Sequence, residues 1–154
     1  MSSRQIFLNG QMPPVMSALR RMDPQDQERL DELAERETAY GLFQRASGLL
    51  KRRHHAQAAV LLERADRLEP GKGSIVEALA RAYYNSGQHE RAAETFRKLL
   101  EIDPSAAYGH FGLGQSLKML GQLDEAQTHL RLAVAMAPNS TVYRNALARL
   151  VRQK

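Results

Sequence analysis

The chain has 154 residues, 43% hydrophobic and 25% charged, with a formal net charge of +5, the size and composition of one soluble globular domain. It contains no cysteine, which excludes a disulfide framework, thiolate-ligated zinc and a cysteine nucleophile. No stretch approaches the length of a membrane span, and residues 1–16 lack the apolar run of a signal peptide. We therefore expect a cytoplasmic protein with no membrane partner.

The N-terminal segment, residues 1–22, combines many large apolar side chains with the helix breakers Gly10 and Pro13-Pro14. One interpretation is a mobile terminus. The alternative is that its apolar side chains dock into a groove of the same molecule or of a second copy, which would give self-association. The sequence leaves both interpretations open.

An acidic stretch follows at residues 23–38. Asp23 is a typical N-cap residue, and Pro24 suits the first turn of a helix. No glycine or proline interrupts the chain between Pro24 and Gly41. We therefore predict an acidic helix over 23–38 that continues into the next helix.

The next part of the chain contains a repeat. Pro70, Pro104 and Pro138 are separated by 34 residues each, which divides the chain into the segments 39–72, 73–106 and 107–140. When the segments are aligned, small residues coincide with small ones and large apolar residues with large ones. The aligned sets are Ala58, Ala92 and Ala126, and Leu62, Phe96 and Leu130.

The spacing within each segment is helical and predicts two helices per repeat. Gly87 and Gly121 stand where a left-handed C-terminal cap favours glycine, whereas Arg53 holds that place in the first repeat, so we expect its turn to differ. The predicted helices span 39–52, 55–68, 73–86, 89–102, 107–120 and 123–136, followed by a C-terminal capping helix at 141–154.

These segments resemble the tetratricopeptide repeat (TPR) family. The second segment shows the pattern best, through Leu79, Ala80, Tyr83, Ala92, Phe96 and Pro104, although Leu42, Val76 and His110 replace the tryptophan expected early in each repeat. The resemblance implies an all-α fold: an α-solenoid (right-handed superhelix) of three helix-turn-helix hairpins with flanking helices. It also implies a non-enzymatic protein-protein interaction module, acting as a scaffold or adaptor.

In this family the first helix of each repeat lines a concave groove that binds a peptide. The partner implied here is a protein segment with apolar anchors and some acidic residues, because aromatic and basic residues occupy the matching positions. An alternative for Tyr40 and Phe43 is packing beneath the N-terminal helix. The positions are Tyr40, Phe43, Ser47, Glu77, Arg81, Tyr84, Tyr108, Phe111, Gln115, Lys118 and Arg149.

Other functions have weaker support in the sequence. Family members that grip a chaperone's C-terminal carboxylate use lysine, asparagine and arginine side chains, and none of these stands at the matching positions. The layout is also similar to secretion-type or assembly chaperones that hold an apolar partner segment. RNA or DNA binding through the basic edge at residues 51–55 is the weakest alternative. We expect no catalytic residue, no cofactor and no metal site.

Overall fold

The computed structural model describes residues 22–154, except for the side chains of residues 35 and 36, and that part contains eight helices and no strand. The expectation for the N-terminal segment therefore lies outside the described residues, apart from Met22. The chain divides into two units, residues 1–37 and 38–154. The helices are α1 (Pro24–Arg36) in the first unit, and α2 (Ala39–Lys51), α3 (His55–Leu68), α4 (Gly73–Asn85), α5 (His89–Ile102), α6 (Ala107–Met119), α7 (Leu123–Met136) and α8 (Thr141–Gln153) in the second.

The start of α2 corrects one expectation, because α1 does not continue into it. The Asp23 carboxylate caps the start of α1 by accepting the Asp26 N–H at 2.7 Å, and the helix ends at Arg36. Thr38 then adopts an extended conformation, and its hydroxyl accepts the Gly41 N–H at 3.0 Å. A threonine in this position satisfies a free N–H group of a new helix, so the chain can break without glycine or proline.

Residues 39–136 form three helical hairpins, α2–α3, α4–α5 and α6–α7, and each helix pairs with its neighbours along the chain. α8 packs on α7 and also contacts α6. The bounds agree with the predicted hairpins to within one residue. The predicted all-α repeat fold is confirmed, and the prolines that follow α3, α5 and α7 explain why these helices end where they do.

The core of the repeats consists of the aligned small and large residues. Ala58, Ala92 and Ala126 are fully buried, and so are Leu62 and Leu130. The equivalent Phe96 is 1% exposed. Burying one such large side chain stabilises the fold by about 1.5–3 kcal/mol, so these positions supply much of the driving force for stacking the hairpins.

Two helices approach closely where the Phe96 ring of α5 meets Gly112 of α6. A Cβ atom built on Gly112 would lie 2.2 Å from the ring, and one on Gly114 would lie 2.8 Å from Leu130. Neither distance is compatible with a side chain at those positions. The two glycines therefore allow α6 to approach the large residues of α5 and α7.

Replacing Gly112 with alanine is expected to lower the free energy of unfolding by about 1–2 kcal/mol, because overpacking outweighs the gain in helix propensity. The matched control is Gly48→Ala in α2, where an added Cβ meets nothing within 4 Å. That variant should gain about 0.5–1 kcal/mol. Urea denaturation measures both, and a Gly112→Ala variant as stable as the parent would show that the ring moves without cost.

The turn in the first repeat corrects a second expectation, because it has the same geometry as the other two. Arg53 has φ +64°, close to +82° at Gly87 and +79° at Gly121. The Arg53 N–H donates to Leu50 O at 3.0 Å and the His54 N–H to Leu49 O at 2.9 Å, which repeats the pattern at the later turns. These paired bonds define a Schellman cap, and they hold an arginine in a conformation that favours glycine.

The Arg53→Gly variant should therefore be more stable by about 0.5–1 kcal/mol, since relief of the left-handed conformation exceeds the extra entropy of glycine in the unfolded chain. The converse substitution, Gly87→Ala, should cost about 1 kcal/mol. Thermal unfolding followed by circular dichroism measures both. An unchanged melting temperature for Arg53→Gly would mean that the arginine side chain compensates for the strain.

Candidate peptide-binding groove

The predicted groove residues lie on α2, α4, α6 and α8. α4 contacts α6, and α6 contacts α8, so the first helices of the second and third repeats and the terminal helix are neighbours in space. The repeat produces this arrangement, because the first helices of successive hairpins lie on one side of the stack and the second helices lie on the other. Side chains from α4, α6 and α8 are thereby brought within reach of one another.

Four aromatic rings from α5, α6 and α8 form a continuous series. Phe96 meets Tyr108 edge-on with ring centroids 6.0 Å apart, and Tyr108 lies 6.3 Å from Phe111. Phe111 stacks on Tyr143 of α8 at 4.8 Å. Phe96 is buried, whereas the other three are half-buried. The series thus runs from the core to the surface, and its outer rings keep accessible apolar area.

Two charged residues of α4 lie close to these tyrosines. Burial raises the pKa of Tyr108, while the positive charge of Arg81 lowers it and the negative charge of Glu77 raises it. Burial also raises the pKa of Tyr143, and Glu77 adds to that effect. Residues of α4, α6 and α8 therefore converge in the C-terminal half of the predicted groove.

Tyr143 was not among the predicted groove residues. The repeat positions carried over to α8 pointed to Arg149, and Tyr143 stands outside that pattern. One signal was present in the sequence: Tyr143 is the only aromatic residue between Thr141 and the C-terminus. It follows Ser140, whose hydroxyl accepts the Tyr143 N–H at 3.3 Å and so fixes the start of α8.

The predicted residues in the N-terminal half make separate contacts. Tyr40 is 66% exposed, and its phenol oxygen accepts a hydrogen bond from the Gln44 side chain at 2.7 Å. Phe43 packs against the core, and its carbonyl accepts the Ser47 hydroxyl at 2.9 Å. Tyr84 meets His89 edge-on at 5.1 Å. Within residues 22–154, none of these rings joins the series around Phe111.

The remaining predicted residues are polar and differ in burial. Gln115 Oε1 is buried and has no hydrogen-bond partner among the described residues. Lys118 is half-buried and Arg149 is exposed. An unpaired buried acceptor costs about 1–3 kcal/mol, so the burial of the Gln115 oxygen lowers the stability of the fold.

The repeats match a known protein family. A tetratricopeptide repeat family model matches residues 49–110 and again 86–150. Superkiller complex protein 3 of Mus musculus is 31% identical over 87 residues, which are 56% of this chain and 6% of that protein. The chain therefore spans only a small part of this relative.

Solved structures show the same fold at low identity. The first TPR of Spaghetti (RPAP3), bound to an HSP90 peptide, superposes with a TM-score of 0.71 at 16% identity, covering 75% of this chain and 91% of that one. The Sgt2 TPR domain from Aspergillus fumigatus gives 0.69 at 22% identity, covering 75% and 78%. The second unit is thus an α-solenoid of helical hairpins.

The chain belongs to the tetratricopeptide repeat family, since the matched residues cover well over half of its length. Repeats of this family mediate protein-protein interaction. Within residues 22–154, no helix is long and apolar enough to cross a membrane. The same residues contain no cluster of three or more histidine or carboxylate side chains arranged to hold a metal ion.

The third repeat also contains a histidine pair at the contact between α6 and α7. His110 Nε2 donates to Pro104 O at 3.0 Å, which leaves its Nδ1 to accept from His129 Nδ1 at 3.1 Å. His129 Nε2 then faces the Glu125 carboxylate at 3.9 Å. Burial lowers the pKa of His129 below its usual 6.5, and His110 lowers it further, while Glu125 opposes the shift.

This shift makes stability depend on pH near neutrality. A depressed folded-state pKa means that the unfolded chain binds more protons, so the free energy of unfolding should fall as the pH drops from about 7.5 to 5.5. Chemical denaturation across that range measures the slope, and His129→Gln should flatten it, whereas His54→Gln, at an exposed turn, should not. Equal slopes in all three proteins would exclude His129 as the titrating group.

Proposed function

We propose that the chain is a non-enzymatic adaptor that binds a peptide segment of a partner protein in the groove lined by α2, α4, α6 and α8. The segment carries apolar anchors and acidic residues. The lack of cysteine suits a reducing compartment, and we place the protein in the cytoplasm.

The observation that carries this proposal is the cluster of Tyr108, Phe111 and Tyr143. The three rings hold each other in place and are only half-buried, so a ligand meets rigid apolar surface that is already ordered. Aromatic side chains of this kind dominate binding energy at protein interfaces, because they bury large areas at a low cost in conformational entropy. The apolar anchors of the partner segment are assigned to this cluster.

The charges of the groove favour an acidic partner. Arg81, Lys118 and Arg149 form no ion pair with a carboxylate within the described part of the chain. Glu77 is the one acidic residue among the predicted groove positions. A positive surface accelerates association with acidic segments and selects against basic ones.

The test begins with selection of peptides from a random displayed library on the full chain, followed by anisotropy measurements on the most enriched peptide. The groove variant combines Arg81→Ala, Lys118→Ala and Arg149→Ala. The control removes the same charge from second helices through Arg67→Ala, Lys98→Ala and Arg131→Ala, which are exposed and without ion pairs among the described residues.

The groove variant should weaken binding by about tenfold or more, whereas the control should change it by less than about threefold, because charges outside the contact act only at long range. The selected peptides should be rich in acidic and large apolar residues. Equal weakening in both variants, or selection of basic peptides, would contradict the groove assignment.

A further inference from the structure

The turn between α2 and α3 concentrates positive charge. Lys51, Arg52 and Arg53 are consecutive and exposed, and His54 and His55 follow them. Within residues 22–154, no ion pair joins any of the three cations to a carboxylate. Lys51 lies in the last turn of α2, where it complements the helix dipole, but this does not account for the two arginines that follow.

The equivalent turns of the other repeats have a different chemistry. Their left-handed positions are glycines, and the helices that follow begin with Glu90 in α5 and with Asp124 and Glu125 in α7. The first turn of α3 contains no acidic residue. The first turn therefore carries positive charge that the other two turns lack, and no acidic residue at the start of α3 offsets it.

Beside this turn lies a surface pocket of about 330 Å³. Its lining combines polar and apolar surface in similar amounts, and no carboxylate contributes to it. Asn85, at the end of α4, is exposed and brings an amide group to the pocket from the next repeat. The lining residues are Arg53, His54, His55, Ala56, Gln57, Asn85 and Ser86.

Arg53 lines this pocket with its backbone in an unfavourable conformation. Its φ of +64° is unfavourable for any residue with a side chain, and glycine fills the same position in both other turns. Three adjacent cations also repel one another. Strained residues of this kind persist where the surrounding structure holds them, and they cluster at sites that bind ligands.

We propose that the pocket beside Arg53 binds a phosphate monoester dianion, held by the Arg53 guanidinium and the amide of Asn85. The exposed cations Lys51 and Arg52 precede Arg53 in the chain and add to the attraction of an anion. Clustered guanidinium groups match phosphate oxygens through paired, charge-assisted hydrogen bonds. A nucleic acid strand is disfavoured, because His54 and His55 supply the only rings of the lining, which has no tyrosine, phenylalanine or tryptophan to stack a base. None of these residues belongs to the predicted groove.

The phosphate monoester can come from a phosphorylated side chain of a protein or from free phosphate. Amide NMR spectra of the full chain, titrated separately with a short phosphoserine peptide, its unphosphorylated form, inorganic phosphate and a 15-residue oligouridylate, distinguish these sources. Both phosphate monoester probes should give saturable shifts at residues 51–57 and 85–86. A phosphopeptide that binds about tenfold tighter than inorganic phosphate assigns the site to a phosphoprotein, and equal affinity assigns it to free phosphate.

Arg53→Gly separates binding from folding. The variant should weaken phosphate monoester binding by about tenfold while its melting temperature rises, so any loss of binding cannot come from unfolding. Arg67→Gln, which removes one exposed cation from the last turn of α3, is the charge-matched control and should bind as the parent does. The proposal is overturned by an absence of saturable shifts, by equal affinity of Arg53→Gly, or by an oligouridylate that shifts these residues when the monoesters do not.

Discussion

Close approach of helices at positions without a side chain is the constraint on which the rest of the structure depends. The Phe96 ring occupies the space that a Cβ of Gly112 would need, and Leu130 does the same at Gly114. Because α6 lies between these two contacts, it is fixed against both its own partner helix and the preceding hairpin. The orientation of α6 in turn determines which of its residues face the core and which face the groove.

The aromatic series connects this close packing of helices to side chains at the surface. Phe96 touches Gly112 on one side and Tyr108 on another, so the ring that fixes the packing of α6 also supports the first ring of the groove. Phe111 then rests on Tyr143, which belongs to the helix that closes the repeat stack. The rings of the candidate groove in this half of the molecule are therefore an extension of the core, and their rigidity has the same origin.

The sequence predicted the repeat helices almost to the residue, because prolines and small residues at fixed intervals are local signals that packing reinforces. The sequence-based prediction was wrong at two helix ends, where cap hydrogen bonds determine the conformation of the chain. The cap bonds of Arg53 and His54 impose on the first turn a geometry that arginine disfavours. Thr38 caps a new helix where the absence of glycine and proline had predicted a continuous one. The stack of Tyr143 on Phe111 could not be derived from repeat positions, since it depends on how α8 sits against α6.

Because the rings of the candidate groove are half-buried, they leave less apolar area for a partner to cover. Phe111 and Tyr143 already cover part of each other, so the apolar area left for a ligand is smaller than three isolated rings would offer. The same contact removes their rotational freedom before binding, which lowers the entropic cost of association. A segment that places an apolar side chain on these ordered rings would gain from the lower entropic cost, which favours selectivity for ligand geometry over a large buried area.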